Sequence, residues 1–337
     1  MCQTFRFSVY SARKSCMKYR FEYLPYRRKF RRPLVTAHGA WEFREGIVIR
    51  LEEPGGAYAF GEIAPVPWFG TESFDLALAW CHEVEARIDP EDRAPTPLPC
   101  CNWALFSALK GIQETAVDRS IPVAALVVNA DALPVKQAAG FSRYKLKIAT
   151  KDRLAEMASM DALMTLLKEG DALRLDANGG LDERDYKAWL EFLEGKPVEF
   201  LEQPLGPGLE NRMLEIAEPF STPIALDESI SGFTSLCTWQ HWPGPLVVKP
   251  SLLGWVDGEL PPTVLGSSAF ETAFGFEANM QFLSRHQKLD TAVGFDTNHL
   301  LEDDGWSLHG SCSSFTPGEI TNADLQTLWK EKCEAIS

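Results

Sequence analysis

The chain contains no apolar run long enough to span a membrane. None of its eight cysteines forms a CxxC pair, and none of its six histidines stands at metal-ligand spacing beside them. Cysteine-based metal and redox motifs are therefore missing. Scattered cysteines without a secretion signal suit reduced thiols in a cytoplasmic protein. Basic charge is the scarcer sign. The net charge of −14 disfavours a nucleic-acid partner. Low-complexity segments are absent too.

What basic charge there is gathers at one end. Residues 1–32 hold ten Lys/Arg against a single acid, Glu22, a balance of +9 that leaves −23 for the remainder. Residues 1–17 read as an N-terminal extension. It is basic and poor in acids, as transit peptides are, but short. Met17 is an alternative start, and residues 1–16 are expected to be dispensable. The run Arg27, Arg28, Lys29, Arg31, Arg32 reads first as a solvated strand and loop, and second as the approach for an anionic substrate.

A length of 337 residues with 45% hydrophobic content accommodates a barrel of about 250 residues plus a smaller unit. The organising pattern lies between residues 145 and 250. Five apolar runs, YKLKI, ALRLD, VEFLE, PIALD and PLVVK, each close on charge. From Lys147 to Asp176 is 29 residues, then 26 to Glu202, 25 to Asp227 and 22 to Lys249, about one strand-plus-helix unit per step. A single acid after a strand is ordinarily a helix cap or a loop contact. Five charged strand ends in step are not, because a charge at a buried strand end is costly without a partner. A (β/α)8-type barrel brings the C-terminal ends of its strands to one mouth.

The residue types fit one chemistry. Asp176, Glu202 and Asp227 are hard oxygen donors suited to Mg2+. Lys145 and Lys147, two apart on a strand, face the same way. Crowding beside a dication is expected to depress their pKa values and let one act as a base. Lys249 stands across the barrel. Together these describe proton abstraction next to a carboxylate, with the enediolate stabilised by the cation.

KLK, LDAN, EFLEQP, LDES and VVKPS in this order resemble the enolase superfamily, in its muconate-lactonizing subgroup. The resemblance runs from about residue 18 to the C-terminus. The pairing of a lysine base with Mg2+ is a known attribute of that superfamily rather than a reading of this sequence. The implied fold is a (β/α)7β TIM-like barrel with an α+β capping domain formed by the N-terminal region and the C-terminal tail. Implied boundaries are 18–98 for the cap, 99–315 for the barrel and 316–337 for a segment returning to the cap. Pro90–Pro99 reads as the linker, and CNWALFSALKGIQETA after it as the helix that begins the barrel; VAALVV and TAVGFD read as the first and eighth strands, Leu181–Leu193 as one of the helices between strands, and Leu325–Lys332 as a short helix in the tail. Two loops, Arg32–Gly46 and Pro65–Thr71, would face the substrate, and PWFG within the second suits closure over a ring.

The resemblance also implies roles. Asp176, Glu202 and Asp227 would bind Mg2+, with Mn2+ a substitute. Lys147 would be the base and then the acid. Lys145 and Lys249 would stabilise charge. Asn178 would order ligand or metal-bound water, and Glu228 would pair with a barrel lysine. Ser267 and Ser268 could bind a second carboxylate of a small-molecule dicarboxylate, or simply cap a turn.

Dipeptide epimerases carry Asp-x-Asp on the eighth strand, where this chain has Gly294-Phe295-Asp296. That departure weighs against ammonium-bearing substrates. SSAFETAFG, GFDTNHLL and the short step to Lys249 look like the o-succinylbenzoate synthases, magnesium lyases of menaquinone and phylloquinone biosynthesis. N-acylamino-acid racemase, dipeptide epimerase or muconate cycloisomerase activity is the alternative. A barrel that binds ligand without turnover is the non-enzymatic one, disfavoured because binding alone needs no base. Protein partners are left open.

Overall fold

The computed structural model describes residues 18–36, 39–84, 86–89, 96–256, 258–286 and 291–336. The expected extension with Met17, most of the linker and the middle of the first expected substrate-facing loop lie outside these residues.

Alternation along YRFEYLPYRRKF makes strand β1, Tyr19–Thr36. Leu24, Tyr26, Arg28 and Phe30 are buried while Arg27 and Lys29 are exposed. Strand β1 pairs antiparallel with β2, Gly39–Glu52, which pairs in turn with β3, Tyr58–Ile63. A short β4, Arg87–Ile88, completes the order β3-β2-β1-β4. The segment expected as a substrate-facing loop at Arg32–Gly46 is mostly strand. Cross-strand pairing continues to Thr36 and Gly39, with a register shift between Lys29 and Leu34.

One face of this sheet packs on helices α1, Phe74–Glu83, and α2, Pro99–Gln113. Helix α2, expected to open the barrel, serves both units. Ala104, Leu105 and Ala108 join the cap core, whereas Trp103 and Phe106 join the barrel core. A Cβ at Gly61 would stand 2.1 Å from the Ala104 carbonyl oxygen, so β3 and α2 meet backbone to backbone.

A short β5, Ile121–Pro122, pairs antiparallel with Ser314–Phe315. The barrel strands are β6 (Ala125–Leu126), β7 (Arg143–Lys147), β8 (Ala172–Asp176), β9 (Val198–Glu202) and β10 (Ile224–Ala225), all parallel. Strands β11 (Leu246–Val248) and β12 (Val264–Gly266) pair separately. Single bridges close the ring: Leu226 to Leu246, Ser267 to Gly294 and Val293 to Val123. The expected eighth strand, TAVGFD, is present only through such bridges. Its Asp296 carboxylate accepts the Leu126 backbone N–H at 3.1 Å, taking a donor that a regular ladder would use. The expected first strand, VAALVV, is cut to Ala125–Leu126 at the same seam.

Helices separate the strands, among them α3 (Ala132–Ala138), α4 (Arg153–Met164), α6 (Glu210–Ala217) and α7 (Phe233–Thr238). On α5, Glu183–Leu193, Tyr186, Trp189, Leu190 and Leu193 are buried at helical spacing. Asp182 accepts the Asp185 N–H at 2.7 Å, which starts this helix two residues later than the apolar pattern does. Gly195 follows its end with φ 73°. Inside the barrel, Phe200, Ala225, Val247 and Leu265 form an apolar floor.

The tail returns to the cap as α9, Asn322–Ile336, longer than its apolar pattern indicates. Gln326 accepts from Arg50 at 2.9 Å, and Trp329 packs 5.7 Å from Phe60. The cap is joined to the barrel through a buried carboxylate. Glu62 of β3 accepts from Tyr26 at 2.6 Å, from the Thr272 hydroxyl, and from the backbone N–H groups of Thr272 at 3.1 Å and Gly275 at 2.9 Å. Those N–H groups open helix α8, Ala273–His286. Burial raises the Glu62 pKa, against the hydroxyls of Thr272 and Tyr26. No helix among the described residues is long and apolar enough to cross a membrane.

Candidate active site

Strand register assembles the site. On β7, Tyr144 and Leu146 turn into the core, leaving Lys145 and Lys147 on the opposite face. Lys147 sits beside Asp176, and Asp176 beside Glu202. Ala225 pairs with Glu202, so Asp227 follows two residues beyond on the next strand. Asp176, Glu202 and Asp227 are buried, and each offers an oxygen within 4.8 Å of the others. Three oxygen donors so close suit a hard dication that keeps positions open for substrate.

Two lysines bracket the carboxylates. Lys145 Nζ lies 2.8 Å from Asp176 and 2.7 Å from Glu202. Lys249 Nζ, from the far side, donates to Asp227. Lys147 stands exposed at the strand end. Burial, then the charge of Asp176, push Glu202 well above the ordinary carboxylate value, against Lys145. At Lys145 burial lowers the pKa, but Asp176, Glu202 and Asp227 more than reverse it and leave it raised. Among the chain's own groups, three carboxylates outweigh burial at Lys145.

Among the described residues Glu228 forms no ion pair with a lysine, in contrast to the expectation, although the charge of Lys249 still lowers its pKa. It accepts from Asn178 Nδ2 at 3.1 Å, while the nearby Lys249 is taken by Asp227. Burial, followed by Asp227 and Asp176, pushes Glu228 up to about 7. Asn178 has φ 45°, which turns its backbone N–H onto Asp176 at 3.0 Å. It thus ties Asp176 to Glu228.

Gln203 was not singled out from the sequence. Its Oε1 accepts the N–H groups of Asp227 at 3.0 Å and Ser229 at 3.2 Å. Its Nε2 donates to Ser229 Oγ at 2.9 Å. Gln203, fully buried directly after Glu202, aims the next strand's carboxylate. A polar residue immediately following a charged strand end was the available signal.

The two serines part company. Ser268 donates to Glu271 at 2.8 Å and accepts the Phe270 N–H at 2.8 Å. Its hydroxyl is committed to the turn, as S-x-x-E spacing implies. Ser267 makes no side-chain hydrogen bond among the described residues, and Gly294 beside it keeps space open. Asp296, the second acid of the epimerase pattern, is occupied as well. Lys136, from helix α3 (Ala132–Ala138), donates to it, and Ser311 does so at 2.6 Å.

Above the mouth lies an aromatic roof. The one-turn segment Pro67–Phe69 puts the Phe69 ring 4.2 Å from Lys249 Nζ. Trp41 packs on Trp68 at 4.8 Å and on Phe270 at 5.4 Å. Phe270 adopts φ 64°, a strained value for an aromatic residue, and also meets Phe30 at 5.2 Å.

Comparison with known proteins places this geometry. A family model described as Enolase C-terminal domain-like matches residues 128–239. The o-succinylbenzoate synthase of Thermosynechococcus vestitus is 32% identical over 297 residues, covering 82% of this chain and 92% of that one. The solved o-succinylbenzoate synthase from Thermosynechococcus elongatus, complexed with Mg in the active site, superposes with TM-score 0.77 at 28% identity, covering 93% and 99% of the two chains. The L-Ala-D/L-Glu epimerase from Bacillus subtilis shares the fold, with TM-score 0.76 at 19% identity over 89% of this chain and 96% of that one. The chain belongs to the enolase superfamily, in the family of the o-succinylbenzoate synthases.

Proposed function

We propose that this chain is a carbon–oxygen lyase that dehydrates 2-succinyl-6-hydroxy-2,4-cyclohexadiene-1-carboxylate to 2-succinylbenzoate in menaquinone or phylloquinone biosynthesis. One observation carries the reading. Three clustered carboxylates stand between opposed lysines, in a chain 32% identical to a named o-succinylbenzoate synthase over 92% of its length.

Asp176, Glu202 and Asp227 hold Mg2+ in this reading, with Mn2+ as a substitute. Bound there, the cation neutralises the carboxylate next to the proton to be removed. Lys147 takes that ring proton. The C–H electron pair passes onto the adjacent carboxylate as an enediolate, then returns to form the new ring double bond as the C–O bond breaks and hydroxide departs. Lys147 then returns its proton to the departing hydroxide, so water leaves from the face the base occupies. Lys145 stabilises the developing charge from the same strand, and Lys249 does so from the opposite side. Asn178 and Gln203 keep Asp176 and Asp227 aimed. The roof of Trp41, Trp68 and Phe69 excludes water over the ring.

Epimerisation of an ammonium-bearing substrate is disfavoured, because Asp296 is engaged by Lys136 and Gly294 offers no acid. The six described cysteines are all free thiols, which supports a cytoplasmic setting. The test is dehydration measured with and without Mg2+, beside deuterium exchange into N-acylamino acids and dipeptides. Metal-dependent dehydration is expected. Turnover of the amino-acid derivatives alone would overturn the reading.

A further inference from the structure

Two arginines lie outside that reading. Arg28 on β1 and Arg44 on β2 are direct cross-strand partners, so two like charges stand side by side on one face. They are only 2% and 1% exposed. Arg28 has a counterion, Asp304, at 2.9 Å, and also donates to Ser307 at 3.2 Å. Among the described residues Arg44 has no carboxylate partner: Nη1 donates to the backbone carbonyls of Glu45 and Pro65, each at 2.8 Å, and the guanidinium lies 5.7 Å from the Trp41 ring. Arg28 Nη1 and Arg44 Nε and Nη2 are buried with no hydrogen-bond partner among the described residues. A buried guanidinium with idle N–H groups is costly, and an anion shared by the pair removes that cost.

The pair borders the segments that carry the roof. Arg44 holds Pro65, the first residue of the segment that carries Phe69 over Lys249. Asp304 and Ser307, the partners of Arg28, follow the eighth strand. Phe30, two residues beyond Arg28, meets Phe270 and Trp41 of the roof. Ser268, expected to receive a second carboxylate in this quarter, is committed to its turn.

We propose that Arg28 and Arg44 form the subsite for the second, distal carboxylate of a dicarboxylate substrate. The inference rests on the reading of the site as one that processes a dicarboxylate. Two guanidinium forks present donors in the geometry that a carboxylate accepts.

The test uses the full chain and two probes, 4-oxo-4-phenylbutanoate, which carries only the distal carboxylate, and its methyl ester. Calorimetry is expected to show the wild type binding the acid at least about tenfold more tightly than the ester. Arg28→Gln and Arg44→Gln should erase that preference, weakening acid binding about tenfold more than ester binding. Arg44→Lys keeps the charge without the fork and should keep part of the preference. The proposal is overturned by equal loss of acid and ester binding, by an acid preference that survives both glutamine variants, or by a wild type with none. Should a glutamine variant fail to fold, Arg44→Lys decides: a wild-type ratio there overturns the proposal and a reduced one supports it. Dehydration by the wild type is measured separately. Its absence counts against the reaction, whereas the acid-to-ester ratio alone judges the arginines.

Discussion

The strand ends at β7–β11 and the seam between cap and barrel both bury charge, and they neutralise it differently. At the strand ends charge meets opposite charge: Lys145 with Asp176 and Glu202, Lys249 with Asp227. Along the seam, apart from the Arg28–Asp304 pair, charge meets neutral dipoles. Glu62 accepts from Tyr26, Thr272 and Gly275. Glu72 accepts the Cys100 and Cys101 N–H groups that open helix α2, at 3.2 and 2.9 Å. Arg44 leans on two carbonyls. Removing one member of a charge pair leaves a bare buried charge, while a neutral isostere at the seam keeps most hydrogen bonds. The strand ends should therefore be intolerant and the seam graded.

The largest effect is expected at the triad. Asp176→Asn, Glu202→Gln and Asp227→Asn should each lower Mg2+ affinity and turnover by more than about 100-fold, since even residues behind metal ligands cost about 10–100-fold. Metal titration by calorimetry checks this, and full activity in excess chelator would break the contrast. Next come the lysines. Lys147→Ala should cost about 10²–10⁴-fold in dehydration, the usual loss of a general base. Deuterium exchange at the carbon next to the carboxylate locates the base. Abolition of exchange in Lys249→Ala but not in Lys147→Ala reverses the two roles.

The roof should respond more gently. Phe69→Leu removes the ring over Lys249 and is expected to lower kcat/KM by about 2- to 30-fold, the range of a cation–π contact. Phe69→Tyr should recover the loss, and a leucine variant as active as wild type would leave the ring no part in holding Lys249.

The smallest effect tests the seam's pH dependence. Glu277 of α8 accepts from Gly318 at 2.6 Å and Gln281 at 2.9 Å, and burial pushes it up to about 7 from 4.5. The folded chain keeps this proton to higher pH than the unfolded one. The associated stability is thus full below about 4.5 and is lost as pH rises to about 7. Glu277→Gln, always neutral, should melt roughly 2–5 °C above wild type at pH 8, with the gap closing near pH 4.5. Melting curves across that range decide it, and a gap independent of pH means the carboxyl is not the titrating group.

The two regions also differed in how far the sequence revealed them. Lys147, Asp176, Glu202, Asp227 and Lys249 each end their own apolar run, so a strand's alternation and the repeat length sufficed to gather them. The seam has no such local signature. Arg28 reaches Asp304 across 276 positions, and Lys136 reaches Asp296 across 160. Arg28 sat within a run read first as a solvated strand and loop, and only its pairing with Arg44 turns it inward. The ring of Phe69 over Lys249 depends on how the cap settles, which no spacing encodes. Ser268 was open to either reading because a turn and a carboxylate both want a hydroxyl. Glu271, three residues on, held the answer. The eighth strand looked regular because its apolar pattern is intact, while Asp296 supplies by side chain the acceptor that a ladder supplies by backbone.

The Glu62 clasp has a consequence for how the chain is made. Glu62 and the Thr272 N–H that it accepts are 210 positions apart. At ribosomal speeds of about 5–20 residues per second, the carboxylate emerges roughly 10–40 s before its partners exist. Until then the cap sheet must tolerate Glu62 in water, leaving its barrel-facing side unfinished. The nascent protein therefore cannot mature strictly from its first domain onward. Its earliest strands wait for nearly its last helix, and a chaperone that shields that sheet should raise the yield more than one that acts after release.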